Sequence, residues 1–441
     1  MFSKTEEIGM KFKLIGLLIL LSIFLTNTIS FAARYRFTPI VSAKETYTDN
    51  VFLTDKNTKD DYITDVSAGG IFTFLSKTSG MDFSFYPAYV WYKDNSRDPT
   101  WRLPATLDIW SIIAPRTRLE IFDRFLRSDD PDENRPVVSE DTGQIEAPGD
   151  STVRRGRGWY LTNYATVRVD RQIGANDSVY GQFLYSFRRE EESDGNDNDR
   201  YAPSAGFTHW FGPRWGTTAS SVYTRALFDN SSDFHDIAYL LQLQRKLTNR
   251  FQFFGRYEYN FLNHDDDDVT DYHFYAPSTG FSYEVAEDSR IALGIGYYYQ
   301  DFVAGDDEHG PFFFGDAYKR WNYRNWTASL LGRAGLDRND FGNERLGFEW
   351  SAGINGRIRY DFTRNFYGNV FGNYRYSDFI NDSREDNRYR VGAGLGWLPT
   401  GWMTLSLEYF NNVLDSTDTE DYTENRVWLQ LTLQPDRPWR F

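Results

Sequence analysis

Apolar and polar residues alternate along most of the chain with the period of two that is typical of β-strands. In the segment 251–262, five odd positions are aromatic, while the even positions include Gln252, Arg256, Glu258 and Asn260. The same alternation recurs at 345–360, 388–397 and 427–434. Each of these segments therefore predicts a strand with one apolar face and one polar face.

The predicted strands are joined alternately by short turns and by longer, acidic loops. The short turns are recognised by their Gly, Pro, Asn, Asp and Thr residues and fall at 77–80, 114–117, 174–177, 212–215, 247–250, 286–289, 361–365 and 399–401. Short turns on one side and long loops on the other are typical of outer-membrane β-barrels, in which the short turns face the periplasm.

Counting hairpins predicts an all-β fold, a transmembrane antiparallel up-and-down barrel of about 20 strands, with 18 as the alternative. The doubtful pair of strands lies at 311–337, where the turn near 321–323 has weak turn chemistry. Both counts are even, so both chain ends are expected in the periplasm.

Composition supports this fold and excludes other classes. Aromatic residues make up 18% of the chain, yet the mean hydropathy is −0.59, as expected when only alternate strand residues meet lipid. The absence of cysteine excludes disulfides, thiolate metal sites and cysteine nucleophiles. The net charge of −15 argues against a nucleic-acid partner.

The first 32 residues predict a cleaved secretory signal peptide. Lys11 and Lys13 precede an apolar run from Leu14 to Leu25, which is too short to cross a bilayer as a helix. Ser30-Phe31-Ala32 fits a cleavage site, so we expect residues 33–441 to form one barrel domain in the outer membrane. Pro435 and Pro438 interrupt the last strand, and the terminal residues are expected to form a short tail.

A row of charged residues on the polar strand faces is the main candidate for function. Its members are Arg168, Asp170, Arg188, Arg256, Glu258, Arg345, Glu349, Arg357, Arg359, Arg375, Arg388 and Arg390. Arginines in a channel wall attract anions, so the row suits the passage of small anionic solutes. The same residues could instead pair with acids and brace the wall. We favour this structural role because structural ion pairs are common in proteins.

The loop 129–156 is the longest and strongly acidic. It could fold inward as a constriction, but a solvated position outside the barrel is the favoured expectation. The acidic runs 265–268 and 306–308 lack the spacing of a dedicated Ca²⁺ loop, so no metal site is predicted. No G-x-S-x-G motif or other nucleophile context accompanies the five histidines, so we expect neither enzymatic activity nor a cofactor.

The predicted first strand reads Glu45-Thr46-Tyr47-Thr48-Asp49-Asn50-Val51-Phe52 and is followed by aromatic-rich hairpins. In these features the chain resembles the outer-membrane β-barrel porin family associated with exopolysaccharide or capsule production. That resemblance implies a porin or export channel linked to polysaccharide secretion, and supplies no catalytic residues. Expected partners are membrane lipid and lipopolysaccharide, the outer-membrane assembly machinery and polysaccharide export components. The competing hypothesis is a non-conducting structural or surface-binding barrel.

Overall fold

The structure is a computed structural model that describes residues 33–94, 97–133, 137–138, 145–147, 154, 156–191, 197–266, 269–286, 288–339, 341 and 346–441. The predicted signal peptide lies outside these residues. Among the described residues, no helix is long and apolar enough to cross a membrane.

The described residues form strands joined by turns and loops. The strands are Arg34–Thr48 (β1), Asp61–Leu75 (β2), Ser79–Phe85 (β3), Ala88–Tyr92 (β4), Thr100–Ala114 (β5), Thr117–Ser128 (β6), Val137–Val138 (β7), Ile145–Ala147 (β8), Tyr160–Gln172 (β9), Ser178–Glu190 (β10), Asn198–Trp210 (β11), Trp215–Phe228 (β12), Phe234–Lys246 (β13), Phe251–His264 (β14), Tyr272–Ala286 (β15), Ser289–Phe302 (β16), Glu308–Asn322 (β17), Trp326–Asn339 (β18), Gly347–Thr363 (β19), Phe366–Phe379 (β20), Glu385–Thr400 (β21), Met403–Ser416 (β22), Tyr422–Leu433 (β23) and Trp439–Arg440 (β24).

These strands build a closed antiparallel barrel with 20 strand positions around the wall. Each strand pairs with its neighbours along the chain, and β1 closes the sheet by pairing with β23 from Val41↔Leu433 to Thr48↔Arg426. β3 and β4 together fill one strand position, since both pair with β2 on one side and with β5 on the other. β7 and β8 form a separate two-stranded sheet. The predicted fold class and the larger strand count are confirmed.

The chain end returns to the barrel wall. After the interruption at Pro435 and Pro438, Trp439 pairs with Phe37 and Arg440 with Arg36 on β1. The terminal residues thus follow the final long strand, and two of them pair with β1. Because proline cannot donate to a ladder, the break falls at the prolines and the pairing resumes beyond them.

The ladder registers define two faces of the wall. On β14, Tyr257 is 44% exposed and lies opposite Leu241, which is 53% exposed, so both belong to an outer face of accessible apolar side chains. Arg256, the residue before Tyr257, points to the other face, the inner one, where it lies opposite Gln242 and Ser278. This separation puts apolar side chains toward lipid and polar side chains toward the lumen.

Candidate functional site

Eleven of the twelve charged candidates lie on the inner face, and Arg345 lies outside the described residues. Neighbouring ladders place them together on this face: Arg168 is opposite Glu120 and Gln182, and Arg390 is opposite Asn373 and Asn412. The alternation of each strand therefore carries these side chains to the side away from the exposed apolar rows.

Many inner-face arginines are paired with an acid two residues along the same strand. Arg168 Nε donates to Asp170 Oδ2 at 2.7 Å, and Arg188 Nε donates to Glu190 Oε1 at 2.6 Å. Arg256 forms an ion pair with Glu258. Residues i and i+2 of a strand point to the same face, so such pairs lie along the wall. This is the arrangement expected of side chains that brace the barrel.

Five of the candidate arginines lie on three adjacent strands, β19 to β21. We call this group the arginine ladder; its members are Arg357, Arg359, Arg375, Arg388 and Arg390. Arg375 and Arg388 lie directly opposite each other in the β20–β21 ladder. Like charges in this position repel, so acidic partners are needed nearby.

Acids surround the arginine ladder at its ends. Arg375 pairs with Glu349, Arg388 lies 3.5 Å from Asp386 Oδ2, and Arg359 Nε donates to Asp361 Oδ1 at 3.0 Å. Between these ends, the Arg357 guanidinium lies over the ring of Phe371, 5.6 Å from its centroid. The arginine ladder thus concentrates positive charge, and acidic side chains compensate part of that charge at both ends of the group.

A loop reaches the inner face from the connection between β6 and β9. We call its residues 129–133, 154 and 156–159 the inward loop; β7 and β8 lie between these residues in the chain and are not included. Asp129 is fully buried and accepts a hydrogen bond from Arg102 Nε of β5 at 2.5 Å. Asp130 Oδ2 lies 3.2 Å from Arg426 Nη1 of β23. Both arginines belong to the inner face, so these residues lie inside the barrel.

Further contacts fix the inward loop on both sides. Arg157 Nη1 lies 3.4 Å from Asp130 Oδ1, and its Nε donates to the Val51 carbonyl oxygen at 2.9 Å. Asp132 Oδ2 lies 3.5 Å from Arg390 Nη1 of the arginine ladder. The expectation of a solvated external loop is therefore wrong for residues 129–132, which contact the inner face. Its acids have buried guanidinium partners on the wall, and these outweigh solvation of the free carboxylates.

The charges of the inward loop titrate abnormally. Burial by itself would raise the pKa of Asp129, but the Arg102 guanidinium outweighs burial and holds that pKa below its usual range. Arg426 and Arg157 likewise outweigh burial and hold the pKa of Asp130 well below its usual range. The pKa of Glu133 is raised, with burial as the largest cause.

These shifts predict that the inward loop stays in place in mild acid. A depressed carboxylate pKa stabilises the docked state above the pKa of the free residue, and this contribution disappears as pH falls through the depressed value. Glu133 has the opposite shift, so its protonation in mild acid also favours the docked state. We expect channel conductance to be constant from neutral pH down to about pH 4 and to rise only below it. A rise in planar-bilayer conductance already near neutral pH would contradict this prediction.

A second inward element consists of the loop ends of β18 and β19. We call its described residues 335–339, 341 and 346–351 the tongue. Phe348 stacks on Phe274 of β15, with ring centroids 4.0 Å apart and 10° between the planes. Phe341 contacts the rings of Phe228 and Phe234, at 6.3 and 5.7 Å. These contacts cross from the tongue to the inner face of β12–β15.

Sequence reasoning missed this aromatic cluster. Its buried members include Phe228, Phe234, Tyr272, Phe274, Phe312 and Phe348. The available signal was the phase of the phenylalanines: Phe228, Phe234 and Phe274 occupy inner-face positions, where polar residues dominate elsewhere. An apolar residue in the polar phase of a barrel strand indicates that something covers it.

The acidic runs and histidines lie in the loops and on the wall. Asp265 accepts hydrogen bonds from Arg225 at 2.8 and 2.6 Å, and Asp307 accepts one from the Tyr299 hydroxyl at 2.6 Å. Asp267 and Asp268 lie outside the described residues. Among those that the structure describes, no three His, Asp or Glu side chains are grouped as metal ligands. His273 Nδ1 lies 2.9 Å from the Tyr259 hydroxyl.

Part of the chain is similar to a known protein family. Residues 233–435, which are 203 of the 441 residues, match the family model described as "Putative beta-barrel porin 2". The closed antiparallel barrel agrees with the β-barrel that this description names. No curated protein matches the sequence.

Several solved bacterial porin structures are similar over most of the chain. OccAB3 of Acinetobacter baumannii has 10% identity, with 90% of this chain and 99% of that chain covered and a TM-score of 0.37. OpdQ of Pseudomonas aeruginosa has 14% identity, covers 91% and 98%, and has a TM-score of 0.37. OccK9 (OpdG) of Pseudomonas aeruginosa has 11% identity, covers 90% and 98%, and has a TM-score of 0.40. What this barrel carries is therefore inferred from its own residues.

Proposed function

We propose that the barrel is an outer-membrane channel for small anionic solutes, linked to the secretion of an acidic exopolysaccharide. The observation that supports this is the arginine ladder, five arginines on three adjacent strands of the inner face. A barrel of this size leaves an aqueous channel unless something plugs it. Rings and rows of charged side chains then set which ions enter.

The acids around the ladder suit transport better than tight binding. A solute must be attracted enough to enter a pore and held weakly enough to leave it. Glu349, Asp361 and Asp386 lower the net positive charge at the ends of the ladder, while Arg357 and Arg390 lie between them. An anion can thus exchange one guanidinium partner for the next along the wall.

The inward loop restricts the size of the solute. Its acidic side chains pair with inner-face arginines of β5 and β23. Asp132 also pairs with Arg390 of the arginine ladder. Solutes that pass would therefore share the lumen with this loop. The link to an acidic polysaccharide rests on the resemblance of the first strand and on the affinity of guanidinium groups for carboxylates.

A second candidate function is a non-conducting structural barrel, in which case the acidic loops would bind a surface partner. The inward loop, the tongue and the paired inner-face charges favour this alternative, because each of them takes up part of the lumen. The two candidates differ in one measurable property, the passage of solute through a correctly folded barrel.

Swelling of proteoliposomes tests the proposal with three solutes of similar size. We expect gluconate, an anion, to enter faster than neutral glucose, and glucose faster than the cation N-methylglucamine. The folding control for each preparation is gel electrophoresis, in which a folded barrel changes its mobility when the sample is heated. Equal rates for all three solutes would contradict the anion preference. No swelling with a folded barrel would favour the structural candidate.

A further inference from the structure

A cavity lies at the end of the wall, between the short turn that joins β5 to β6 and the one that joins β9 to β10. Its volume is about 500 Å³, which is within the size range of pockets that hold small ligands. Three of the side chains that line it are those of Arg116, Arg118 and Arg171. The Gln172 backbone N–H donates to the Arg116 carbonyl oxygen at 2.9 Å. This hydrogen bond and the β6–β9 ladder hold the two turns together around the cavity.

The acids that line the cavity are engaged by other groups. Asp170 accepts two hydrogen bonds from Arg168, each at 2.7 Å. Asp177 accepts one from the Trp210 backbone N–H at 2.9 Å, and its Oδ2 lies 3.1 Å from His209 Nδ1. These acids therefore do little to compensate the positive charge of the cavity.

Two of the three guanidinium groups have no acidic partner. Arg118 Nε lies 2.8 Å from Glu120 Oε1. Among the residues that the structure describes, neither Arg116 nor Arg171 has an acid within ion-pair distance. Guanidinium groups present several N–H donors in one plane and bind phosphate and carboxylate oxygens strongly. The cavity therefore offers an uncompensated positive charge and free donors to an oxyanion.

The backbone of Arg116 is in a conformation that arginine rarely adopts. Its φ is +62°, in the left-handed region that glycine and asparagine usually fill in tight turns. An arginine is strained there relative to glycine, so the formation of the turn does not explain this residue. The turn does place the Arg116 side chain at the cavity, which indicates a role for its guanidinium group.

The surroundings of the cavity indicate a lipid as the source of the anion. Thr117 and Arg171 lie opposite each other and are in phase with Val167, which is 36% exposed on the outer face. Ile113 and Ile173, next to the two turns, are 55% and 58% exposed. Acyl chains contact apolar side chains of this kind, and basic pockets at the membrane surface bind lipid head groups. A phosphate in the cavity can thus belong to a lipid whose chains lie along the outer face.

We propose that the cavity binds the phosphate group of an anionic phospholipid in the leaflet next to the short turns. Arg116 and Arg171 donate hydrogen bonds to the phosphate oxygens, and the acyl chains lie against Ile113 and Ile173. The cavity is on β5, β6, β9 and β10, whereas the arginine ladder is on β19 to β21. The site is therefore independent of the proposed channel, and its loss should leave the ion preference of the barrel unchanged.

Native mass spectrometry of the folded barrel tests this site. The barrel is equilibrated in detergent micelles that contain equal amounts of dioleoylphosphatidylglycerol and dioleoylphosphatidylcholine. We expect the barrel to retain phosphatidylglycerol in preference to phosphatidylcholine. Arg116→Gln with Arg171→Gln should lower the retained phosphatidylglycerol about ten-fold or more, because hydrogen bonds from two charged groups are lost. Ser178→Phe fills the cavity without a change of charge and should lower the retention as well.

The matched control is Arg214→Gln with Arg324→Gln, which removes two exposed arginines from other short turns. We expect this control to retain phosphatidylglycerol like the unmodified barrel. An equal loss in both double variants would assign the retention to overall surface charge and overturn the proposal. Absence of a preference for phosphatidylglycerol, or unchanged retention in the Arg116 and Arg171 variant, would also overturn it. Displacement of the lipid by an equal concentration of glycerol phosphate would instead assign the cavity to a soluble phosphate ester.

Discussion

Replacing Asp130 by asparagine should increase the conductance of the barrel several-fold. The Asp130 carboxylate compensates three guanidinium groups, those of Arg102, Arg157 and Arg426, in a region that excludes water. Removing one partner from a buried group of charges costs about 3–5 kcal/mol, because the remaining charges stay buried without compensation. A loss of this size weakens the docking of the inward loop, so the loop should leave the lumen.

The control for this prediction is Asp60→Asn, which removes the same charge from an exposed loop position. We expect it to leave single-channel conductance unchanged. Both variants should keep the gel mobility of the folded barrel, since the ladders do not involve either side chain. An Asp130→Asn barrel that is folded and has the conductance of the unmodified protein would show that the inward loop does not limit passage.

Neutralising the arginine ladder should reverse the ion preference of the channel. The variant replaces Arg357, Arg359, Arg388 and Arg390 by glutamine, leaving Arg375 paired with Glu349. The inner wall there would retain Asp361, Asp386 and Glu408 with fewer positive partners, so its potential should become negative. The reversal potential in a salt gradient should then change sign, from anion to cation preference.

The matched control removes four arginines from the short turns between strands. Arg116, Arg214, Arg250 and Arg364 are all exposed and lie outside the strands. Replacing them by glutamine changes the net charge equally, but these positions are screened by solvent. We expect the reversal potential to keep its sign. A similar change in both variants would assign selectivity to overall charge instead of the arginine ladder.

The strand pattern predicted the local part of the structure because alternation and turn chemistry are short-range properties. Arg256 and Tyr257 could be assigned to opposite faces from their neighbours alone. The doubtful turn near 321–323 joins β17 and β18, and the ladder beside it is regular from Gly315↔Ala334 to Asn322↔Thr327, so weak turn chemistry did not prevent a hairpin there.

The inward loop and the tongue could not be predicted in this way. Asp129 meets Arg102 from 27 residues away, and Asp130 meets Arg426 from 296 residues away. Nothing in the local sequence of an acidic loop says whether it finds arginines inside a barrel or stays in water. The sequence does contain one sign of the tongue: phenylalanines at strand positions that are otherwise polar and face inward. Their partners, Phe341 and Phe348, are equally remote along the chain.

Single-channel recording of the refolded barrel in a planar bilayer tests the central claim most directly. We expect steady conductance with a reversal potential on the anion side, from a lumen lined by the arginine ladder and narrowed by the inward loop. A correctly folded barrel that carries no current, with Asp130 intact or replaced, would contradict the channel and leave the structural barrel as its function.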